Sequence, residues 1–464
     1  MIVPRNYIQL LIVLYLLLFC GMALPLAYGA QQKPNIVLIL ADDLGYQDLG
    51  YTGATEFKTP HIDKLAATGM VFTQGYANHS FCAPTRAALM AGRYQQRFGF
   101  ETNTPSSAAF KRGGLPKSEV TVATRLKQVG YRTGLVGKWH LGYRSDYHPL
   151  NRGFDYFFGH LGGGHDYFRV DSTEFEQSYL HPLIDNKSYS NVEGYLTHQF
   201  TDRALGFIDE NKEKPFFLFV SYNAPHAPWQ APQETIDSLS NIEDPHRRAY
   251  AAMIVEMDRD IGRIVSHLAK HDLSENTLIF FLSDNGGDKP GKVASNAPFR
   301  AGKGELYEGG IHVPFIANWP GKIKPGTFDY PVTGIDITQT AVEMAGGDTN
   351  LMEGENLLPY ATGEKTDAPH DYIFFRRRGG VVWAVIDKEG KKLIVPSWES
   401  KQAELYDLKQ DVSESNDLFV SEPEEAARLQ KAFNDWNAKN APYGEIDFIN
   451  TYQVPMEKLN EGNL

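Results

Sequence analysis

The stretch NIVLILADD, Asn35 to Asp43, decides the fold. Ile36 to Ala41 are apolar without a break. The run is short, aliphatic and rich in β-branched residues, so it reads as a strand buried on both faces. Two carboxylates, Asp42 and Asp43, follow at once. Three other stretches repeat this pattern. RTGLVG (Arg132–Gly137) runs into Lys138-Trp139-His140, PFFLFVSY (Pro215–Tyr222) leads to Asn223 and His226, and TLIFFLS (Thr277–Ser283) ends in Asp284-Asn285. Helical patterns lie between them: HIDKLAATG, SEVTVATRLKQVG and AAMIVEMDRDIGRIVSHLAKH. In the last, Ile254, Met257, Ile261, Ile264 and Leu268 recur at helical spacing and form one apolar stripe. Alternating strands and helices predict an α/β domain, a large mostly parallel sheet sandwiched by helices. In such sheets ligands sit beyond the carboxyl ends of the strands. Four strand ends would then deliver carboxylates, an amide, a lysine and two histidines to one edge.

Asp42, Asp43, Asp284 and Asn285 are hard oxygen donors, and no histidine or cysteine pair at zinc spacing accompanies them. Three carboxylates held together repel one another unless a cation joins them. That donor set predicts one divalent ion, Ca²⁺ in preference to Mg²⁺, because nothing in it demands a strict octahedron.

The chain of 464 residues is 42% hydrophobic and 22% charged, the composition of a folded protein with a sizeable core. Residues 1–30 read as an export signal: Arg5 at the start, the apolar run LLIVLYLLLFC, then Pro25 and small residues that place cleavage near Gly29 or Ala30. This predicts a periplasmic or extracellular protein with no stable membrane anchor. Removing the leader takes away Cys20 and leaves Cys82 alone, so no disulfide can form within the mature chain. The formal charge is −12, or −13 once Arg5 is gone, which argues against nucleic-acid binding. An anionic substrate would need a local cluster of bases. After about Gly363 the pattern changes. DYIFFRRRGGVVWAVIDKEGKKLIVP alternates like antiparallel strands, and EPEEAARLQKAFNDWNAKN reads as an amphipathic helix. We therefore expect a catalytic domain over 31–363 and a smaller α+β domain with an antiparallel sheet over 364–464.

The lone cysteine opens CAPTRAALMAGR, Cys82 to Arg93. This stretch resembles the C-x-P-x-R signature of the formylglycine-dependent (type I) sulfatases. Its companions, in order, are NIVLILADDLGYQDLGYTG, TPHIDKLAATGMVFTQGYA, GYRTGLVGKWHLG, RGFDYFFG, APHAPW, LSDNGG, RAGKGELYEGGIHVPFIANWPG and ELYDLKQDVSESNDL. The resemblance covers most of the mature chain and implies the fold of the alkaline phosphatase superfamily. It also implies that a maturation enzyme, reading Pro84 and Arg86, oxidises Cys82 to formylglycine, whose hydrate is a geminal diol. One diol oxygen attacks sulfur, and loss of a proton from the second hydroxyl then returns the aldehyde and releases sulfate. Serine lacks that second hydroxyl.

With the family as guide, Cys82 joins Asp42, Asp43, Asp284 and Asn285 at the metal. Arg86 holds the diol, and Lys138 and Lys303 bind sulfate oxygens. His140 accepts the second hydroxyl's proton, and His226 protonates the leaving sugar oxygen, with Lys303 as the alternative. Specificity would come from loops over the strand ends. His148, His160, His165, Arg169, Arg97 and Arg300 are the candidate substrate contacts there. The pattern is similar to sulfatases acting on galactose or N-acetylgalactosamine 4- or 6-sulfates, which implies a sulfated galactan such as carrageenan, or a glycosaminoglycan. Two other readings are a phosphodiesterase or phosphonate hydrolase on the same scaffold, and a non-catalytic carbohydrate-binding relative.

Overall fold

The computed structural model describes residues 33–103, 113–170, 182–288, 293–397, 399 and 402–441. The expected leader over 1–30 lies outside them. Ten strands form the main sheet. They are β1 (Asn35–Ala41), β2 (Met70–Phe72), β3 (Arg132–Lys138), β4 (Tyr156–His160), β5 (Leu183–Asp185), β6 (Ser188–Ser190), β7 (Phe216–Ser221), β8 (Thr277–Ser283), β9 (Phe315–Asn318) and β10 (Gly326–Phe328). Their order is β10-β2-β9-β8-β1-β7-β3-β4-β5-β6. The five central strands, β8 to β4 in that order, are parallel. β9 runs antiparallel to β8 and β2, and the β5–β6 hairpin closes the other edge antiparallel to β4.

The residues of β1 divide between two cores, as a doubly covered strand requires. Val37, Ile39 and Ala41 join one cluster with α1 (Pro60–Thr68). Ile36, Leu38 and Leu40 join the other with α2 (Cys82–Ala91) and α3 (Val122–Gln128). α4 (Leu196–Asn211) and α5 (Pro245–Lys270) lie on the first face, α6 (Gly334–Met344) on the second. The expected stripe of α5 is buried from Ile254 to Leu268, and Asp244 caps that helix by accepting from Arg247 N, with Pro245 at its first position. α3 starts later than its apolar pattern implies. Thr121 caps it, its hydroxyl accepting from Thr124 N, so Ser118 to Val120 stay outside the helix.

A separate antiparallel sheet follows: β11 (Tyr372–Arg377), β12 (Val382–Asp387), β13 (Lys391–Val395) and β14 (Glu404–Asp407). α7 (Pro423–Asn437) covers one face, stacking Phe433 on Trp383 at 4.1 Å and Trp436 on Phe374 at 4.9 Å. The other face packs on Tyr76, Leu306 and Ile311. A buried ionic network crosses that seam. Lys392 Nζ lies 2.8 Å from Glu308 Oε1 and 2.7 Å from Glu414 Oε1, while Tyr76 and His312 each bond Glu308 Oε2 at 2.8 Å. It ties the segment just after Lys303 to the second sheet.

Candidate active site

Register brings the strand ends level. Ala41 of β1 pairs with Ser283 of β8, Leu40 with Ser221 of β7, and Ser221 with Gly137 of β3. Because these strands are parallel and adjacent, the residues after them emerge on one edge. Gly137 is required for this closeness: its φ is +111°, and a Cβ there would lie 1.9 Å from Ser221 O. Two residues at the edge, Asp43 (φ +62°) and His140 (φ +58°), hold left-handed backbone, a conformation uncommon for residues with a side chain and more accessible to Asp and His than to most.

Helix α2 delivers Cys82 to that edge. Its Sγ lies 3.3 Å from Asp42 Oδ1 and 3.8 Å from Asp43 Oδ1, and it is buried. One turn along, Arg86 is 1% exposed. Its Nε donates to Asp284 Oδ2 at 3.0 Å, its Nη2 forms an ion pair with the same oxygen at 2.8 Å and approaches Asp42 at 3.7 Å, and Nη1 donates to Lys138 O and Ser221 Oγ. Lys138 bonds Asp42, and Lys303 bonds Asp43 Oδ2 at 2.6 Å. His226 Nε2 lies 3.6 Å from the same Oδ2. Asn285 donates to Asp43 Oδ1 at 2.7 Å. Ligand atoms of Asp42, Asp43, Cys82 and His226 all fall within 4.8 Å of one another.

The electrostatics follow from burial and pairing. Burial pushes the Asp43 carboxyl up, but Lys303, His226 and Lys138 outweigh it and hold the group well below the carboxylate range. Burial and the charge of Asp42 push Asp284 up to about 6, against the pull of Arg86. Burial, then Asp284, pushes the Cys82 thiol well up, so as a thiol it stays protonated and is a poor nucleophile. Burial pulls Lys303 down, yet Asp43 reverses this and keeps its ammonium charged. Burial, with Lys303 and Lys138, brings His226 down to about 4 despite Asp43. The residues suit a hard cation. Asp42 and Asp43 converge, Asp284 accepts from Asp43 N at 3.3 Å beside them, and Asn285 Oδ1 is buried with no hydrogen-bond partner among the described residues.

His140 is buried beside this cluster, and Gly163 of the triple-glycine loop packs against its ring. A Cβ at 163 would sit 2.8 Å from both Cε1 and Nε2 of His140. The candidate substrate contacts divide. His160 and His165 are buried with their rings 5.3 Å apart, and Arg169 is exposed and pairs with Asp166 at 3.6 Å. His148 accepts from Leu150 N and so caps a turn. The structure gives Arg97 and Arg300 other partners. Arg97 bonds Glu353, Trp436 O and Asn440, tying down α7. Arg300 stacks on Tyr307 and bonds Tyr406 of the second sheet and Glu414 O beyond it.

Three further residues stand at or against this edge without having been named as candidate site residues. Ser221 accepts from Arg86 and donates to Lys138 O. The Tyr250 hydroxyl links Asp43 O, Gly45 N and Asp48. Asn223 keeps a buried amide with no hydrogen bond among the described residues. Its place after β7 was the only signal for it; Ser221 and Tyr250 sit inside apolar patterns that conceal them.

The sulfatase family model matches residues 34–347. The chain belongs to the sulfatase family. It is a sulfuric ester hydrolase of the type I group, with the alkaline phosphatase-like fold. A second model, the C-terminal part of N-sulphoglucosamine sulphohydrolase, matches residues 302–439. N-acetylgalactosamine-6-sulfatase of Mus musculus is 37% identical over 385 residues, covering 78% of this sulfatase and 72% of the relative. The crystal structure of Ps i-CgsB in complex with k-i-k-neocarrahexaose superimposes with a TM-score of 0.84 at 34% identity, over 93% of this chain and 98% of that one. The phosphonate monoester hydrolase SpPMH of Silicibacter pomeroyi, at 18% identity and TM-score 0.64 over 88% and 96% of the chains, shares the fold. Among the described residues no helix is long and apolar enough to cross a membrane.

Proposed function

We propose that this sulfatase is an exported carbohydrate sulfatase, periplasmic or extracellular, that removes sulfate from a galactan of the carrageenan type or from a glycosaminoglycan. The observation that carries the reading is the position of residue 82, 3.3 Å from Asp42, among carboxylates bridged by Arg86, Lys138 and Lys303. Support for the substrate class comes from the N-acetylgalactosamine-6-sulfatase relative and from the neocarrahexaose bound to Ps i-CgsB.

In this account a maturation enzyme converts Cys82 to formylglycine, which supplies a hydrated carbonyl as nucleophile. Asp42, Asp43, Asp284 and Asn285 would hold Ca²⁺, which supplies charge for the nucleophile and the sulfate oxygens. The three bases balance the three carboxylates in this structure. With the carboxylates so occupied, Lys138 and Lys303 would be free to bind an anion, where they would stabilise charge in the transition state. Arg86 orients residue 82 from one turn below. His140, fixed by Gly163, takes a proton from residue 82 to release product. His226 holds its proton loosely; the negative charge of an arriving sulfate raises its affinity, and it then gives the proton to the leaving oxygen. Lys303 holds its proton tightly and is better suited to binding sulfate than to donating. These groups fall within 31–363, the proposed catalytic domain, and the described part of the proposed smaller domain, 364–464, braces the Lys303 segment through Lys392 and Glu414. The test is a panel of defined sulfated oligosaccharides given to matured enzyme, with released sulfate as the readout. Release from galactan or glycosaminoglycan fragments supports the reading. Release only from simple aryl sulfates, or faster turnover of phosphate diesters, overturns it.

A further inference from the structure

The opposite edge of the sheet holds a second set of metal-ligating side chains. α4 and α5 pack side by side and run parallel. His198 of α4 faces Glu256 of α5, and one turn on Asp202 meets Arg263. At the far end Asp209 meets His267 and His271. Both helices therefore end together, α4 at Asn211 and α5 at Lys270 with His271 as its cap. α4 leads directly into the first residue of β7, Phe216, so this corner lies a strand's length, roughly 20 Å, from Asp42 and Asp43.

The geometry points to a transition-metal site here, which we propose binds Zn²⁺ through His267 Nε2, His271 Nε2 and Asp209 Oδ1. The two histidines are four residues apart, the spacing that puts both rings on one helix face. Their rings lie 4.7 Å apart. Both Nε2 atoms converge on one oxygen, at 3.0 Å for His267 and 2.8 Å for His271. His271 Nε2 is shielded from solvent and, close as it is to Oδ1, makes no hydrogen bond to any described residue. An imidazole nitrogen aimed into a cluster and left without a hydrogen bond is the state a metal ligand takes when its ion is absent. The ends of two helices add to this. Both are carboxyl-terminal ends and carry the negative pole of each helix dipole, so the corner favours a cation. Lys212 also acts on Asp209 and opposes this, but three donor atoms and two helix ends outweigh one ammonium group.

Zinc prefers imidazole and carboxylate at about 2.0–2.2 Å in a tetrahedron, which sets donor atoms roughly 3.3 Å apart. The present donors need to spread by about half an ångström, a small turn of the half-exposed Asp209 side chain. Each neutral imidazole would coordinate through Nε2 with its proton on Nδ1; His267, whose Nε2–H donates to Asp209 at 3.0 Å, gives that proton to solvent and takes one at Nδ1, so none is lost overall. Water completes the shell, and the ion clamps α4 to α5. The site is distinct from the hard-oxygen cluster and does not rest on the sulfatase reading.

Zinc chloride is titrated calorimetrically into the full chain with Ca²⁺ saturating. Wild type is expected to take up one equivalent, and His267→Ala, His271→Ala and the near-isosteric Asp209→Asn to bind it about tenfold more weakly or worse. Zinc should raise the Tm of wild type and not of the variants, while sulfate release by the variants stays at the wild-type rate. Absence of stoichiometric uptake by wild type overturns the proposal. So does equal uptake by wild type and Asp209→Asn, which would locate the zinc elsewhere.

Discussion

Replacing Arg86 by Met tests how the carboxylate cluster is held together. Arg86 is 1% exposed and meets Asp284 at 2.8 Å and Asp42 at 3.7 Å. Methionine keeps much of the volume and removes the charge. Breaking a buried pair by deleting one partner costs about 3–5 kcal/mol, because the other charge is left buried and unpaired. The cost must depend on pH. Asp284 is already pushed up to about 6, well above its unfolded value near 3.8. A raised acid binds protons more tightly in the folded state, so its contribution falls as pH rises from the unfolded to the folded value. Without Arg86 the folded value climbs further and the decline continues above pH 6, at up to about 1.4 kcal/mol per pH unit. The variant should therefore lose about 3–5 kcal/mol at pH 8 and about 1–2 kcal/mol at pH 5, where Asp284 is protonated in both proteins. Urea unfolding in chelator at both pH values measures this, with Cys retained at 82 so that maturation plays no part. Adding Ca²⁺ at one hundred times the wild-type Kd stabilises wild type by about 2.7 kcal/mol, and the same concentration stabilises the variant by more, because its site has lost a positive neighbour. A loss under about 1 kcal/mol at pH 8, or an equal loss at both pH values, would refute the reasoning.

Two further outcomes concern turnover. His226→Ala should slow sugar sulfates roughly 10²–10⁴-fold while nitrophenyl sulfate, whose leaving group needs no proton, loses far less; equal losses on both substrates would remove His226 from the acid role. Gly163→Ala, which places a methyl 2.8 Å from the His140 ring, should lower kcat roughly 10²-fold with little change in Tm. Unchanged kcat would mean that the position of His140 does not matter to the reaction.

The core of the fold was legible because β1, β7 and β8 are nearly continuous apolar runs and β3 has an apolar centre, Gly134 to Gly137, as a parallel sheet covered on both faces needs. The antiparallel flank was not. β2 and β10 have three residues each, too few for periodicity, and β10 pairs with β2 across more than 250 positions of chain. The site was legible as residues following strands, since Asp42, Lys138, His226 and Asp284 share an edge by topology alone. What joins them was hidden. Nothing local to Ser221 or Tyr250 tells that one hydroxyl receives Arg86 and the other braces Asp43. Conversely, Arg97 and Arg300 looked free near the motifs, and distant partners, Trp436 O on α7 and Tyr406 of the second sheet, claim them. Side-chain contacts between residues 100 or more positions apart leave no mark in local sequence.

The central claim is that residue 82 reacts as an aldehyde hydrate. It is tested most directly by plotting sulfate released per molecule against the fraction of Cys82 found by mass spectrometry as formylglycine, in batches made with and without the maturation enzyme. The account predicts a line through the origin, with Cys82→Ser lying at zero. Release at the full rate from batches whose residue 82 is entirely thiol, or from the serine variant, would contradict it.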